Sequence, residues 1–359
     1  MKALGSPWWA WTWPPLAWLI LLLAFVFENA GPVIALAGIT LLGTVFTAVY
    51  HAEVIAHRLG EPFGTLVLAL AVTIIETALI VSVMIAAPAD KAGLARDTVF
   101  AAVMLVCNGI VGFCLLLGGT RHREQGFQLQ GASAALAVLT ALTFLALILP
   151  NYAAAELGSA YSTPQLVFAG VVSLVLYGAF LFVQTVRHRD FFLPVKIEDE
   201  EKHESPPSGV AAVSSACLLF VCLLGIVGLA KVLTPTVEFA VAQLVMPKAV
   251  VGVIIAALVL LPEALAASRA ARLNRLQTSL NLALGSALAT IGLTIPAVAA
   301  VSIVLGQRLQ LGLDTKDQGL LAVTLILSVI TLGTGRTTVL QGIVHLVMFA
   351  AFMFFVVNP

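Results

Sequence analysis

The chain has 359 residues, of which 60% are hydrophobic and only 10% charged, at a mean hydropathy of +1.06. Water-soluble proteins carry about 25% charged residues, so a soluble globular enzyme is excluded and a polytopic membrane protein is indicated. The 18 Lys and Arg equal the 18 Asp and Glu, which leaves no basic surplus for a nucleic-acid partner.

Taken in chain order, apolar runs of about 20 residues, enough to cross a bilayer as a helix, are centred near residues 19, 40, 75, 107, 140, 175, 221, 257, 290, 325 and 346. The fold class this predicts is an all-α polytopic membrane protein with eleven transmembrane helices. The first run, Trp8 to Phe27, is aromatic and contains Pro14 and Pro15. It lacks a small-x-small cleavage site and reads as a span rather than a secretory signal. After the second run, "HAEVIAH" places His51 and His57 six residues apart. Six residues do not put two side chains on one helix face, so a zinc-protease motif is rejected. "AHRLGEPFGT" follows as a polar turn, with Gly60 and Pro62 as breakers and Glu61 between them.

One hydrophilic segment interrupts the chain, "RHRDFFLPVKIEDEEKHESPPSG" at 187–209. Its acidic block, Glu198 to Glu201 with Glu204, predicts a solvated linker on the membrane surface. Cys107, Cys114, Cys217 and Cys222 all fall inside apolar runs, at spacings that fit neither a metal site nor a disulfide framework, and read as small packing residues. His345, in the last run, reads as an interhelical hydrogen-bonding residue. No Walker loop, Gly-x-Ser-x-Gly elbow or dinucleotide fingerprint is present.

Cationic residues sort by side. Lys2, Arg58, Arg121, Arg123, Arg187, Arg189, Lys196, Lys202, Arg269, Arg272, Arg275 and Arg336 fall on one side of an eleven-span topology, twelve of the 18. Lys91, Arg96, Lys231, Lys248, Arg308 and Lys316 fall on the other. The positive-inside bias puts the N-terminus and the linker in the cytoplasm and the C-terminus outside. Setting aside the first span leaves five before the linker and five after it. An odd number per half makes the halves face opposite ways, the arrangement of inverted repeats in secondary transporters. The expected organisation is an N-terminal peripheral transmembrane helix (1–30), a first five-helix repeat (31–186), the acidic cytoplasmic linker (187–209) and a second five-helix repeat (210–359).

The six aspartates all lie in loops or at span ends, and of the twelve glutamates only Glu76 and Glu263 lie deep in apolar runs. Each belongs to the second span of its half, and neither has a Lys or Arg nearby in sequence. Taking a carboxylate to the bilayer centre costs roughly 2.5–3.5 kcal/mol on insertion scales. Two routes relieve that cost. A proton can neutralise the group, since burial raises a carboxyl pKa by up to about 3–5 units. Alternatively, a cation can bind the pair with the oxygen ligands that calcium and sodium prefer. A site that alternates between the two is a cation/proton exchanger. Thr73, one turn before Glu76, can add a hydroxyl oxygen, or it can bond its own backbone. Pro262 leaves a backbone carbonyl near Leu258 without its helical donor, as a further ligand or as a simple kink. An intramembrane aspartyl protease needs two buried aspartates, and a channel needs a continuous polar pore; neither is present in the spans.

"RLGEPFGTLVLALAVTIIETALI" and "LVLLPEALAASRAARLNRLQTSLNLALGSALATIGLTIP" resemble the two signature repeats of the cation/calcium exchanger superfamily, with the bacterial calcium/proton antiporter branch of the ChaA type as the nearest match. The resemblance extends over "RDTVFAAVMLVCNGIVGFCLLLGG", the acidic linker and "GRTTVLQGIVHLVMFAAF". It implies that Glu76 and Glu263 are the paired acidic residues that exchange a cation for protons, with Asn108 and Ser286 as polar ligands on the following helix of each half. Many family members carry Gly-Asn-Ala-x-Glu before the acid; here Thr73 and Leu260 stand where the asparagines are. The implied function is export of Ca2+ against inward protons by alternating access across a bacterial inner membrane, with Na+ or K+ exchange on the same scaffold as the alternative. The expectation is a transporter rather than an enzyme. Its partners are a metal cation, protons and the lipid bilayer, with no cofactor and no obligate protein partner.

Overall fold

The computed structural model describes residues 7–27, 31–60, 70–71, 73–81, 92–153, 160–193, 207–244, 246–247 and 249–358. Among them ten helices are long and apolar enough to cross a membrane. They are α1 (Trp9–Val26), α2 (Gly31–Leu59), α4 (Leu94–His122), α5 (Leu129–Asn151), α6 (Thr163–Arg187), α7 (Gly209–Gln243), α8 (Ala249–Arg272), α9 (Leu276–Leu305), α10 (Thr315–Leu332) and α11 (Val339–Val357). The remaining predicted span, near residue 75, is described only in part; its helical stretch 73–81 is α3. Every described span sits where hydropathy put it. The helices α2 and α7, at 29 and 35 residues, exceed the roughly 20 that a bilayer needs. They therefore carry Glu53 and Glu238 inside helices, where hydropathy left them near span ends. Glu61, Pro62 and the acidic block of the linker lie outside the described residues.

The chain divides into two compact units, 1–86 with 199–248 and 87–198 with 249–359. In the first, α2 and α7 pack along each other and α1 lies against both. The α1 helix contains Pro14 and Pro15. Pro14 has no N–H to offer the Ala10 carbonyl one turn back. His51 of α2 takes its place, with Nε2 3.0 Å from that oxygen. A carbonyl only accepts, so Nε2 carries the proton and Nδ1 accepts from the Ser215 hydroxyl of α7, 3.1 Å away. One buried imidazole thus ties three helices together and repairs a proline defect.

In the second unit α4 packs against α8 and α11, α8 against α9, α9 against α5 and α6, and α10 against α5 and α11. The crossing of α4 and α11 is close: a Cβ on Gly342 would stand 2.5 Å from the Leu116 backbone nitrogen. At one end of this unit a short antiparallel pair, β1 (Glu124–Gly126) with β2 (Arg336–Thr338), joins the segments after α4 and before α11. Gln125 of β1 donates to the Ala271 carbonyl (2.9 Å) and to Asn274 Oδ1 (3.0 Å) in the turn after α8. The start of the linker is docked at this end. Phe192 is buried against Phe180, and its carbonyl accepts from Asn281 at 2.6 Å. At the other end Gln310 N–H donates to Ala92 (3.0 Å), Asn151 Nδ2 to Leu313 (2.6 Å) and Tyr161 to Leu145 (2.7 Å). Burial pushes the Tyr161 phenol up to about 12, so it stays a neutral donor.

Candidate functional site

Glu76 lies in α3, in the first unit, and its side chain is buried, at 2% exposure. Thr73, one turn earlier on the same face, is buried with it. The helix turns its apolar Leu70 and Ile74 outward, so the acid and the hydroxyl share the inward face. Ile75, Leu79 and Ile80 are buried with them, so the two polar groups sit among apolar side chains.

Glu263 lies in α8, in the second unit, at 8% exposure. The helix continues through Pro262 without a break, while Leu261 and Leu265 face outward. Gly252 allows α8 to approach α4 closely; a Cβ there would stand 3.0 Å from the Thr98 amide nitrogen. Each glutamate is thus on the protein-facing side of its helix, as an intramembrane carboxylate must be to avoid lipid.

Asn108 is wholly buried in a π-helical turn, Leu105–Ile110, at the middle of α4. A π turn fits one extra residue into the helix and re-aims the side chains it carries, and such turns concentrate at functional sites. The Asn108 amide is held at both ends: Nδ2 donates to Thr324 Oγ1 at 2.8 Å, and Oδ1 lies 3.1 Å from His345 Nδ1. His345 is therefore an interhelical hydrogen-bonder, as expected from the sequence. The α8 helix and α9 both pack against this π turn, so Glu263, Asn108 and Ser286 lie on mutually packed helices of one unit. Ser286 itself is only half-buried.

The α9 helix carries its own π turn, Thr290–Thr294, one turn beyond Ser286. Thr290 and Thr294 are buried there at 2% and 0% exposure. Both halves thus place a π turn in the helix that follows the acidic one, with a polar side chain in each. The two hydroxyls of the second turn escaped sequence reasoning, because a threonine in an apolar helix usually bonds its own backbone. π turns also occur at Phe144–Ile148 in α5 and Val183–Arg187 in α6; what singles out Thr290 and Thr294 is a π turn carrying buried hydroxyls in the helix that follows Glu263. Among the described residues no cluster of three or more His, Cys, Asp or Glu forms a resident metal centre, and the four cysteines are free thiols.

The model of the family described as sodium/calcium exchanger protein matches this sequence over residues 30–186 and 214–358. The chain is 50% identical to the y4hA protein of Sinorhizobium fredii over 98% of its own length and 97% of that protein. It is 36% identical to the sodium-potassium/proton antiporter ChaA of Escherichia coli, covering 95% of this chain and 93% of the other. The solved structure of the H+/Ca2+ exchanger CAX superposes with a TM-score of 0.73 at 14% identity, over 96% of this chain and 87% of that one.

Proposed function

The chain belongs to the sodium/calcium exchanger protein family, and from that premise we propose that it is an antiporter exchanging a metal cation for protons, with Glu76 and Glu263 as the carboxylates that carry one or the other. A single observation carries this proposal. The two acidic side chains that stand alone in deep apolar sequence, at matching places in the two halves, are each buried on the inward face of their helix.

Two carboxylates match the charge of one divalent cation and can be neutralised equally by two protons. The exchange cycle therefore passes between two near-neutral loads. The bare, doubly ionised state is disfavoured by desolvation, which suppresses leak of either ion alone. Thr73, Asn108 and Ser286 supply the neutral oxygens that complete a hard-cation shell. In a bacterial inner membrane, protons running inward drive Ca2+ outward.

The second reading is Na+ or K+ as the exported ion. It is favoured by the 36%-identical sodium-potassium/proton antiporter and by Thr73 and Leu260, which take the places of two amide ligands. The carboxylate proposal is tested with Glu76→Gln and Glu263→Gln in proteoliposomes. Both variants are expected to insert normally and to lose exchange of Ca2+, Na+ and K+ alike; proton-coupled transport at the wild-type rate by either one sinks it.

A further inference from the structure

Asn108 does not stand alone in its pocket. It is the middle of a chain of buried polar groups within the second unit that runs from α10 through α11 to α4. His345 is fully buried, its Nδ1 3.1 Å from Asn108 Oδ1 and its Nε2 3.1 Å from Thr331 Oγ1. Asn108 Nδ2 donates to Thr324 Oγ1 at 2.8 Å, and the Thr324 hydroxyl points on to Met104 Sδ at 3.4 Å.

The direction of every bond follows from what each atom can do. The Thr324 proton is spent on the Met104 sulfur, so its oxygen accepts from the Asn108 amide nitrogen. That orients the amide with Oδ1 toward His345. Oδ1 only accepts, so His345 carries its proton on Nδ1. Nε2 is then bare and accepts from the Thr331 hydroxyl. All the donors point the same way, from Thr331 to Met104, an arrangement in which each bond polarises the next.

The backbone is shaped to admit the imidazole. A Cβ on Gly112 would stand 2.9 Å from His345 Cβ, and one on Gly109 would press on the Phe349 ring at 3.4 Å. The two glycines bracket the π turn's exit and bring α11 against α4 closely enough for a hydrogen bond to a residue as short as asparagine.

We infer that His345 is a positioning residue for cation binding: its Nδ1–H, held in that tautomer by Thr331, fixes the Asn108 amide so that the second lone pair of Oδ1 is presented to the cation. A carbonyl oxygen has two lone pairs; the imidazole occupies one and polarises the other. Without it the amide keeps only its Nδ2 bond to Thr324, and Oδ1 loses both the partner that fixes its direction and the polarisation that strengthens it as a cation ligand. This inference rests on Asn108 being a ligand, as proposed above.

The test compares two substitutions of His345 with one of its partner Thr331. Asparagine keeps an N–H donor at the Nδ1 position and loses the contact to Thr331. Leucine keeps bulk and loses both bonds. His345→Leu is expected to raise the KM for the transported cation at least tenfold, with kcat changed by less than threefold. His345→Asn is expected to bring KM back to within about threefold of wild type. Thr331→Val, which leaves the tautomer unanchored, is expected to raise KM by an intermediate factor. The assay is ΔpH dissipation in proteoliposomes on titrating Ca2+, with Na+ and K+ in parallel. Asn108→Ala provides the background: in it, His345→Leu is expected to add no further rise.

Wild-type KM in His345→Leu, or equal defects in the leucine and asparagine variants, overturns the inference; where the leucine variant does not fold, the asparagine and Thr331→Val variants decide it. An unchanged KM in Asn108→Ala overturns the ligand role on which it rests. Additive effects in the double variant overturn the positioning role alone. Loss of exchange in Glu76→Gln and Glu263→Gln is measured independently of all four, so the failure of one proposal is not mistaken for the failure of the other.

Discussion

Asn108 and Ser286 enter as equals from the repeat, yet one is sealed and held at both amide ends while the other is half-buried. A ligand that binds a hard cation must be fixed before the ion arrives, because ordering it afterwards is subtracted from the binding energy. Asn108 meets that condition fully, and Ser286 is the less enclosed of the two proposed ligands. Thr290, in the π turn one turn further on, is the more deeply buried hydroxyl of the same helix. The expected order of damage to cation KM is Asn108→Ala, then Thr290→Val, then Ser286→Ala, with the first above tenfold and the last below threefold. Titrating the three variants with the cation that drives proton release checks the order. The burial of Glu76, Glu263 and Asn108 was legible in the sequence because an acid or an amide in an apolar span has no inexpensive alternative to a partner. That of Thr290 and Thr294 was not, since a hydroxyl can always turn back to its own helix and a π turn has no residue signature.

At the level of helices, hydropathy located the spans because a bilayer needs about 20 apolar residues whatever the fold around them. It said nothing of where α2 and α7 end, because helix beyond the bilayer is governed by other contacts. The close packings were equally hidden. Glycine is common in transmembrane helices, and only the structure separates the ones at crossings from the ones facing open space. Gly342 of α11 faces the α4 backbone, with Leu116 N and Gly112 O on its empty side, whereas a Cβ on Gly178 of α6 would meet nothing within 4 Å. Gly342→Ala is expected to destabilise by roughly 1–3 kcal/mol, the usual cost of overpacking, seen as a lower Tm in detergent. Gly178→Ala is expected to be neutral or stabilising by about 0.5–1 kcal/mol through backbone propensity. The same scale holds a third test. His51→Phe keeps the bulk beside α1 but withdraws the donor from the Ala10 carbonyl that Pro14 leaves unserved. Stranding one buried carbonyl costs about 1–3 kcal/mol. Restoring its helical donor with Pro14→Ala in the same chain is expected to recover part of the lost Tm, an effect that no simple loss of packing predicts.

Across the molecule, the sidedness of charge can be compared with the sidedness of loops inside the second unit. One of its ends gathers β1, β2, the turn after α8 and the start of the linker, through Gln125, Asn281 and the bond from His122 Nε2–H to the Arg272 carbonyl at 3.0 Å. Arg121, Arg123, Arg187, Arg189, Arg269, Arg272, Arg275 and Arg336 belong to those segments. The opposite end, knit by Gln310 with Ala92 and by Asn151 with Leu313, has Arg96, Arg308 and Lys316 among its described residues. Arg96 is partly neutralised there by Asp97, at 2.7 Å. Alternation of spans, read from the sequence, and loop contacts, read from the structure, thus assign the same arginines to the same end. Positive charge is retained on the cytoplasmic side during insertion, so the β1–β2 end is expected to face the cytoplasm and the C-terminus the periplasm. Alkaline phosphatase fused after Val357 is expected to be active and green fluorescent protein at the same point dark; fusions in the turn at Asn274 are expected to show the converse. The orientation decides which end of the protein meets each solution, and the proton gradient sets the direction of work. With the arginine-rich end inside, the inward proton gradient favours loading of protons at the outer face and their release into the cytoplasm, and the exchanged cation must leave. Everted vesicles energised to an acid lumen are therefore expected to release protons when Ca2+, or Na+ or K+, is added outside. The reporter pattern in reverse, with C-terminal fluorescence and no phosphatase activity, overturns the assignment of the arginine-rich end to the cytoplasm, while the direction of exchange stays with the proton gradient.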